Sequence, residues 1–244
     1  MRSENEIFSR ARLLFGDEGM RRLSEIKVII FGVGGVGSWC AEALVRSGVM
    51  NLTIVDCDTV CPSNINRQLM ALHSTVGEPK VSALKDRLLD INPNAVIDAR
   101  EEVFNAATAE SFHLESYDYI IDAIDSLADK ALLILLATRT KAHFFSSMGA
   151  ALKLDPERIG IAEFWKVQGC PLARALRQRF KRSGEFPARK FKCVYSDELV
   201  ANKSVLDEPD DNSGRTRVNG SLMHITSIFG AMLASLVIRS ATGN

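Results

Sequence analysis

The chain has little cysteine, and the cysteines present do not form the pairs that hold a structural metal. Only five occur among 244 residues. Their odd number and scattered positions do not suggest a disulfide framework. Cys57 and Cys61 are four residues apart and have no second pair nearby, so a structural zinc site is not expected. The sequence therefore predicts a fold that relies on its hydrophobic core.

Net charge is also absent, and no apolar run has the character of a membrane span. Thirty basic residues balance thirty acidic ones, so no overall field draws the chain to nucleic acid or membrane. Residues Met1 to Gly16 are charged and lack the apolar centre of a signal peptide, which predicts a cytoplasmic location. Ser221 to Ile238 is apolar but only 18 residues long, with polar residues in its first half. We expect it to be a buried closing helix, with no membrane as a partner.

The apolar pattern present is that of one α/β domain over residues 1–244. A hydrophobic content of 46% is enough for a full core, and helical stretches separate the strand-like runs. This predicts a Rossmann-like, mostly parallel sheet with helices on both faces. Four parts are expected: an amino-terminal helical segment (1–24), a nucleotide-binding core (25–165), a basic crossover segment with a mobile loop (166–218) and a closing helix (219–244). The predicted strands are Val28 to Phe31, Leu52 to Val55, Ala95 to Ala99, Tyr119 to Ile124, His143 to Ser146, Ile159 to Phe164 and, as a further candidate, Phe191 to Tyr195.

A glycine loop, Gly32-Val-Gly-Gly-Val-Gly37, follows the first predicted strand and opens a helix. The glycines at positions 32, 34, 35 and 37 let the backbone turn and approach a phosphate, which the free amides and the helix dipole then stabilise. Asp56 ends the second predicted strand, about where an acid reaches a ribose hydroxyl. Asp58 lies two positions further along the same turn. These residues predict a nucleotide site, and such loops are commonest in dinucleotide-dependent redox enzymes.

Cations and amides beyond the loop favour ATP chemistry over hydride transfer. Asn64, Arg67 and Gln68 closely follow the acidic turn, and Lys80 begins another predicted helix. An enzyme that attacks the α-phosphate of ATP must neutralise charge there, whereas hydride transfer has no evident need for these groups. Asp125 follows an apolar run at the edge where open α/β sheets bind ligands, and its carboxylate is suited to magnesium.

Together these motifs resemble the adenylating enzymes related to ubiquitin-activating enzyme, which include the activators of sulfur-carrier proteins. The resemblance implies that Gly35 lies against the phosphates and that Asp56 holds the ribose. It also implies that Asn64, Arg67 and Lys80 bind the triphosphate while Asp125 holds magnesium. Near the start, residues 7–16 resemble the helix that donates an arginine to the partner subunit's ATP in a homodimer. Arg10 matches that arginine best, with Arg12 as the alternative.

The whole chain resembles one branch of that family, the tRNA threonylcarbamoyladenosine dehydratases. This implies that ATP adenylates the threonine carboxylate of a modified adenosine in tRNA, after which the ureido group closes a ring. The alternative keeps the chemistry but makes the acid the carboxyl terminus of a sulfur-carrier protein, whose activators often have the two cysteine pairs missing here. A sulfur-transfer protein is a further expected partner. The matching segments are Phe8 to Gly16, Val60 to Gln68, Ile121 to Ser126, Ser146 to Gly149, Lys153 to Pro156, Pro171 to Arg174 and Cys193 to Ser196.

The crossover segment is locally basic although the chain is neutral. From Lys166 to Lys192 there are nine basic residues and one acid, which predicts either a solvated helix face or a contact with a polyanion such as tRNA. Cys170 in this segment is expected to be a free surface thiol, with a catalytic thiol as the alternative. Cys193 is expected to be a small buried residue. The polar run from Asp207 to Asn219 predicts a mobile loop.

Overall fold

The computed structural model describes residues 4–204 and 219–243. Almost all of the predicted mobile loop, Asp207 to Asn219, lies outside these residues. The helices are α1 (Glu4–Ile7), α2 (Ser9–Glu25), α3 (Gly37–Arg46), α4 (Lys80–Ile91), α5 (Leu127–Ala137), α6 (Pro171–Ser183) and α7 (Met223–Thr242). The strands are β1 (Lys27–Phe31), β2 (Asn51–Val55), β3 (Val96–Arg100), β4 (Tyr119–Asp122), β5 (His143–Ser147), β6 (Ile159–Glu163) and β7 (Lys192–Ser196).

All seven strands form one sheet in the order β3-β2-β1-β4-β5-β7-β6. Every neighbouring pair is parallel except β6 and β7, which are antiparallel. The predicted α/β class with a mostly parallel sheet is therefore confirmed. The strand order reverses between β1 and β4, and this switch point opens a crevice at the carboxyl ends of the strands. The glycine loop begins there, directly after β1.

Two hydrophobic clusters cover the two faces of the sheet, as helices on both faces require. On one face, Val28 and Ile30 of β1 pack with Leu44 of α3 and Phe229 of α7. On the other face, Ile29 and Phe31 of β1 pack with residues of α5 and α6. Successive β1 residues thus alternate between two cores, which is why the strand reads as a continuous apolar run rather than an alternating one.

Most predicted strands differ from the structure by one or two residues at an end, and three of these differences have a local cause. Strand β4 ends at Asp122 rather than Ile124, because the Asp122 carboxylate accepts the Ile124 amide and turns the chain out of the ladder. Ala95 belongs to a turn, in which its amide donates to the Asn92 carbonyl. Phe164 leaves β6 and begins a short 3-10 turn that the Glu163 carboxylate caps through the Trp165 amide. In each case a local hydrogen bond shortens the strand, although the residue left out of it is apolar.

The closing helix α7 is long and apolar enough, by length and composition, to span a membrane. In the fold it packs closely on α3. A Cβ added at Gly230 would lie 2.5 Å from the Val36 carbonyl oxygen and 2.8 Å from the Cys40 amide. Only glycine permits this approach, so α7 is a core helix, as the sequence predicts.

Candidate active site

Two glycines close the turn of the glycine loop, and a third, Gly34, has open space beside it. Gly32 has a φ of 84°, and a Cβ there would lie 2.7 Å from the Ala123 carbonyl oxygen. A Cβ at Gly37 would lie 1.8 Å from the Gly32 carbonyl oxygen. By contrast, a Cβ at Gly34 would meet only the Gln68 amide, at 3.7 Å. The middle of the loop is therefore a bare backbone surface at the start of α3, suited to a phosphate.

A Cβ at Gly35 would lie 3.2 Å from Thr226 of α7 and 3.5 Å from Cγ of Arg67. The Thr226 hydroxyl also donates to the Arg67 carbonyl oxygen at 3.5 Å. The loop, the arginine and the closing helix therefore meet at one point. Thr226 is a neighbour of the site that sequence reasoning missed, because it comes 159 residues after Arg67 along the chain.

Asp56 lies immediately after β2, with both carboxylate oxygens held by backbone amides. Oδ2 accepts the Val33 amide of the glycine loop at 2.8 Å, and Oδ1 accepts the Asp58 amide at 3.0 Å. Burial raises the pKa of Asp56, while the positive charge of Lys80 and the two amides oppose that rise. The carboxylate is thus aimed at the edge of the crevice, where a ribose hydroxyl would donate to it.

Lys80 and Asp58 form an ion pair beside Asp56. The Lys80 side chain is only 7% exposed, and its Nζ lies 2.7 Å from Oδ2 of Asp58. The backbone repeats the link, because the Lys80 amide donates to the Asp58 carbonyl oxygen at 2.9 Å. Lys80 is also the first residue of α4, as its position after Pro79 predicted. A buried ammonium with an exposed partner can exchange that partner for a phosphate oxygen without moving its own stem.

The Asn64, Arg67 and Gln68 group lies in and after a short 3-10 turn, Pro62–Asn64. Oδ1 of Asn64 accepts the Cys61 amide at 3.1 Å, so its amide nitrogen is the group left to serve as a donor for a phosphate. The Arg67 guanidinium donates to the Ser63 carbonyl oxygen at 2.9 Å and to Oδ1 of Asn66 at 2.8 Å. The indole of Trp39 fixes the Arg67 backbone by donating to its carbonyl oxygen at 3.1 Å.

Gln68 carries a buried polar atom without a partner. Its residue is 7% exposed, and within the described part of the chain its Oε1 meets no hydrogen-bond donor. Its amide nitrogen faces Gly34. Because an unsatisfied buried oxygen costs about 1–3 kcal/mol, this position fits a ligand or water at the glycine loop.

A buried ion pair that sequence reasoning missed supports the loop after β4. Nζ of Lys130 lies 2.9 Å and 2.8 Å from the two carboxylate oxygens of Asp122 and 2.8 Å from the Ile124 carbonyl oxygen. The Ser146 hydroxyl donates to Asp122 at 2.6 Å. Burial raises the pKa of Asp122, and Lys130 opposes that rise. The available signal was the one lysine of the mostly apolar helix α5, eight residues after the acid that ends β4.

Asp125 follows this supported loop and is exposed at the carboxyl edge of the sheet. It lies three residues beyond the end of β4 rather than directly at it. A second acidic group near the site consists of Asp56, Cys57 and Asp58, whose ligand atoms lie within 4.8 Å of one another. Asp58 pairs with Lys80, and Asp56 accepts two backbone amides. The assignment of magnesium to Asp125 stays a prediction.

Arg10 is exposed on α2, far along the fold from the site of its own chain. The preceding Phe8 contacts the position of Gly48, at the end of α3 opposite the glycine loop. Arg12, the alternative, forms an ion pair with Asp17. Leu13 and Leu14 beside them are 87% and 81% exposed, an unusual pair of bare leucines on a helix.

The basic residues of this segment are exposed except Arg177, and two of them donate hydrogen bonds to backbone carbonyl oxygens. The Arg177 guanidinium donates to the carbonyl oxygens of Phe164 and Val167 at 3.1 Å and 3.0 Å, so this residue supports the fold and does not belong to the predicted charged face. Arg189 donates to the Ala142 carbonyl oxygen. The remaining basic residues of the segment are exposed: Lys166, Arg174, Arg179, Lys181, Arg182, Lys190 and Lys192.

The prediction that Cys170 is a surface thiol is wrong. Cys170 is buried directly before α6, in the cluster that contains Val167 and Ala173, because the helix start folds back onto the sheet. Cys193 on β7 is buried as expected, and burial raises its pKa well above the ordinary value. The environment of Cys193 therefore does not favour a thiolate.

Comparison with known proteins identifies close relatives along nearly the whole chain. The tRNA threonylcarbamoyladenosine dehydratase of Bacillus subtilis is 40% identical over 212 residues, which cover 86% of this chain and 83% of the relative. The crystal structure of Escherichia coli tRNA N6-threonylcarbamoyladenosine dehydratase, TcdA, with ATP is similar with a TM-score of 0.86 at 29% identity, covering 100% of this chain and 97% of the other. The same protein with AMP gives a TM-score of 0.87 at 30% identity, with the same coverage.

The family assignment extends from the amino-terminal helix through the closing helix. The sequence profile of the ThiF family matches residues 8–244. That range includes the glycine loop, the acidic turn, Arg67, Lys80 and Asp125. The chain belongs to the ThiF family.

Proposed function

We propose that this protein is an ATP-dependent tRNA threonylcarbamoyladenosine dehydratase. The observation that carries the proposal is that the exposed glycine loop, Asp56, Arg67 and Lys80 lie around one crevice, in a chain similar over most of its length to an enzyme of that name. ATP is the nucleotide, in line with the similar structures that contain ATP and AMP.

Each residue around the crevice has a role set by its chemistry. The backbone at Gly34 and Gly35 contacts the phosphates, and Asp56 accepts the ribose hydroxyls. Arg67, Lys80 and the Asn64 amide neutralise the triphosphate, with Gln68 supporting the loop beside them. Asp58 holds Lys80 until a phosphate oxygen replaces its carboxylate. These are electrostatic roles, and the adenylation step needs no side-chain nucleophile.

Asp125 is the proposed magnesium ligand. Its carboxylate is exposed at the carboxyl edge of the sheet, and the Asp122–Lys130 pair supports the backbone just before it. A hard oxygen donor at this position fits a metal that keeps several waters and binds phosphates. When bound, magnesium supplies charge neutralisation on the triphosphate.

The reaction has two displacements. In the first, a carboxylate oxygen of the threonine attacks the α-phosphorus of ATP, the bond to the β-phosphate bridge breaks, and pyrophosphate leaves. In the second, the ureido group of the same nucleoside attacks the acyl carbon, loses a proton and expels AMP. A ring replaces the open chain with net loss of one water. Arg67 and Lys80 stabilise the charge that develops as pyrophosphate leaves.

Arg10 completes the site from a second copy of the chain. It lies on the helix remote from its own glycine loop, beside the exposed Leu13 and Leu14, which a partner subunit would cover. Burying two leucines contributes about 1.5–3 kcal/mol each. The proposed assembly is therefore a homodimer in which each Arg10 reaches the partner's ATP.

The proposed polyanionic substrate meets the exposed basic residues of the segment from Lys166 to Lys192. Helix α6 begins near Gly149, after the carboxyl end of β5, and ends near the start of β7. Its exposed arginines and lysines therefore extend away from the ATP edge along the side of the molecule. Contacts of this kind place tRNA without reading its bases. A sulfur-transfer protein is a further proposed partner, and the proposed location is the cytoplasm.

The choice of acid is tested by offering both substrates to one enzyme preparation. With ATP and magnesium, tRNA that carries threonylcarbamoyladenosine should stimulate exchange of pyrophosphate into ATP, whereas a sulfur-carrier protein should not. The same tRNA without the modification is the matched control. Stimulation by the carrier protein alone would overturn the proposed substrate and leave the adenylation chemistry intact.

A further inference from the structure

An exposed aromatic pair lies among basic residues at the edge of the sheet opposite the ATP crevice. Trp165 follows the end of β6, and Phe186 precedes β7; they are 39% and 51% exposed. Their ring centroids lie 6.2 Å apart, with the planes inclined at 41°. Because β6 is antiparallel, its end lies beside the start of β7, at the amino ends of the parallel strands.

The pair is held in position from behind. The Phe164 ring packs edge-on against Trp165 at 5.2 Å and stacks on Phe191 at 5.0 Å. The Glu163 carboxylate fixes the Trp165 backbone through its amide. Near Phe186, the Ala188 amide donates to the Thr138 hydroxyl at the end of α5. Two bulky rings are thus presented to solvent on a supported surface.

Many basic residues surround the pair, and some of them lie outside the basic segment from Lys166 to Lys192. The turn between α5 and β5 adds exposed Arg139 and Lys141 at this same edge. Lys166 is adjacent to Trp165 along the chain. Residues 139–141 and 163–192, which lie nearest the pair, contain two acids, Glu163 and Glu185. The other exposed cations here are Lys181, Arg182, Arg189, Lys190 and Lys192.

We propose that Trp165 and Phe186 stack an unpaired nucleobase of the tRNA while the surrounding cations contact its phosphates. This rests on the proposed function, which supplies the polyanion. Aromatic faces accept any base, and positive grooves follow the backbone, so the combination fits single-stranded nucleic acid and not a smooth duplex. Strands of five residues separate this edge from the ATP crevice by about 16 Å. The stacked base is therefore a different nucleotide from the one that is dehydrated.

The test replaces the rings by leucine, which keeps apolar bulk but removes the flat face. Trp165→Leu/Phe186→Leu should weaken tRNA binding about tenfold and raise KM for tRNA by a similar factor, with kcat and the Kd for ATP unchanged. Val96→Leu, on the exposed edge strand β3, is the matched apolar control and should match the wild type. Trp165→Tyr, which retains a ring, should lose less affinity than Trp165→Leu.

Salt dependence separates the two kinds of contact. Lys190→Ala should lower the slope of log Kd against log salt by about 1, whereas the leucine variants should leave that slope unchanged. An unchanged tRNA Kd in the double leucine variant would overturn the proposal and favour a protein partner at this surface. Equal weakening toward a fully duplex RNA would also overturn it. Failure of the wild type to dehydrate the modified tRNA would instead refute the proposed function.

Discussion

At the scale of single residues, two charged side chains of the candidate site, Asp56 and Lys80, already have fixed hydrogen-bond or ionic partners. Asp56 holds two amides, and Lys80 holds Asp58. Such pre-organisation lowers the cost of ordering when the nucleotide binds. Arg67 could be predicted as a site residue from the sequence, whereas Thr226 could not. Arg67 lies within a recognisable motif, whereas Thr226 is brought beside it only by the packing of α7.

The raised pKa of Asp56 predicts a pH dependence of ATP binding. Burial favours the protonated acid, and only the carboxylate accepts from both ribose hydroxyls. Protonation of Asp56 therefore competes with ATP binding, and the Kd for ATP should increase as the pH falls through this raised pKa. The increase should occur at a higher pH than the protonation of an ordinary aspartate. Titration calorimetry across pH measures this.

Asp56→Asn is the matched variant for that titration. It should bind ATP roughly tenfold or more weakly, because a hydrogen bond to a charged acceptor contributes about 1.5–3 kcal/mol. It should also lose the acid limb of the pH profile. Asp98→Asn, on the surface of β3, should behave as the wild type. An Asp56→Asn profile that retains the wild-type limb would assign the titration to another group.

The buried Asp122–Lys130 pair predicts a large stability effect. Lys130→Met leaves a buried carboxylate without its cation, which should lower the free energy of unfolding by about 3–5 kcal/mol in urea titrations. Adding Asp122→Asn should recover part of that loss, since the uncompensated charge is removed. The exposed Lys141→Met is the control. A loss below about 1 kcal/mol for Lys130→Met would mean that Asp122 is neutral in the fold.

At the scale of elements, sequence patterns predict where the strands and helices occur, whereas local hydrogen bonds determine where they end. Apolar runs predicted all seven strands, because a strand buried on both faces leaves a continuous signature. The ends of β4 and β6 differ because Asp122 and Glu163 hydrogen-bond to amides two residues later. The role of Arg177 and the burial of Cys170 could not be predicted, since each depends on a chain segment that only folding brings near.

The glycine loop predicts a separation between stability and binding. Gly37→Ala places a Cβ 1.8 Å from a backbone oxygen and should lower the melting temperature or prevent folding. Gly34→Ala meets only a side-chain amide at 3.7 Å, so it should fold normally. Its methyl group occupies the phosphate surface, and ATP binding should weaken at least tenfold. Thermal melts with and without ATP measure both effects.

Two results would contradict this separation of stability from ATP binding. If Gly34→Ala bound ATP as the wild type does, the middle of the loop would not contact the phosphates. If Gly37→Ala melted at the wild-type temperature, the loop would be able to move Gly32 and Gly37 apart at no cost in stability, and the close contact between them would not be required.

At the scale of the whole molecule, the sheet separates two edges with different tasks. The carboxyl edge gathers the nucleotide residues, and the amino edge gathers Trp165, Phe186 and many of the exposed cations. A polyanion substrate can reach both edges along α6. The net charge of zero does not indicate this arrangement, whereas the local excess of basic residues from Lys166 to Lys192 does.

The proposed exchange of Arg10 between subunits predicts complementation. Arg10→Ala and Lys80→Ala should each reduce activity roughly a hundredfold or more, as for other lost contacts to developing charge. An equal mixture, after subunit exchange, should regain about a quarter of wild-type activity, because half of the dimers carry one intact site. No recovery despite verified heterodimers would mean that Arg10 acts within its own chain or not at all.

We propose that this crevice dehydrates threonylcarbamoyladenosine in tRNA, with ATP converted to AMP and pyrophosphate. The most direct measurement is mass spectrometry of nucleosides from modified tRNA incubated with purified protein, ATP and magnesium, together with quantified AMP. We predict loss of one water from the modified nucleoside, one AMP per nucleoside converted, and neither product with Arg67→Ala. An unchanged nucleoside mass with the active wild type, or conversion that proceeds without AMP, would contradict the account.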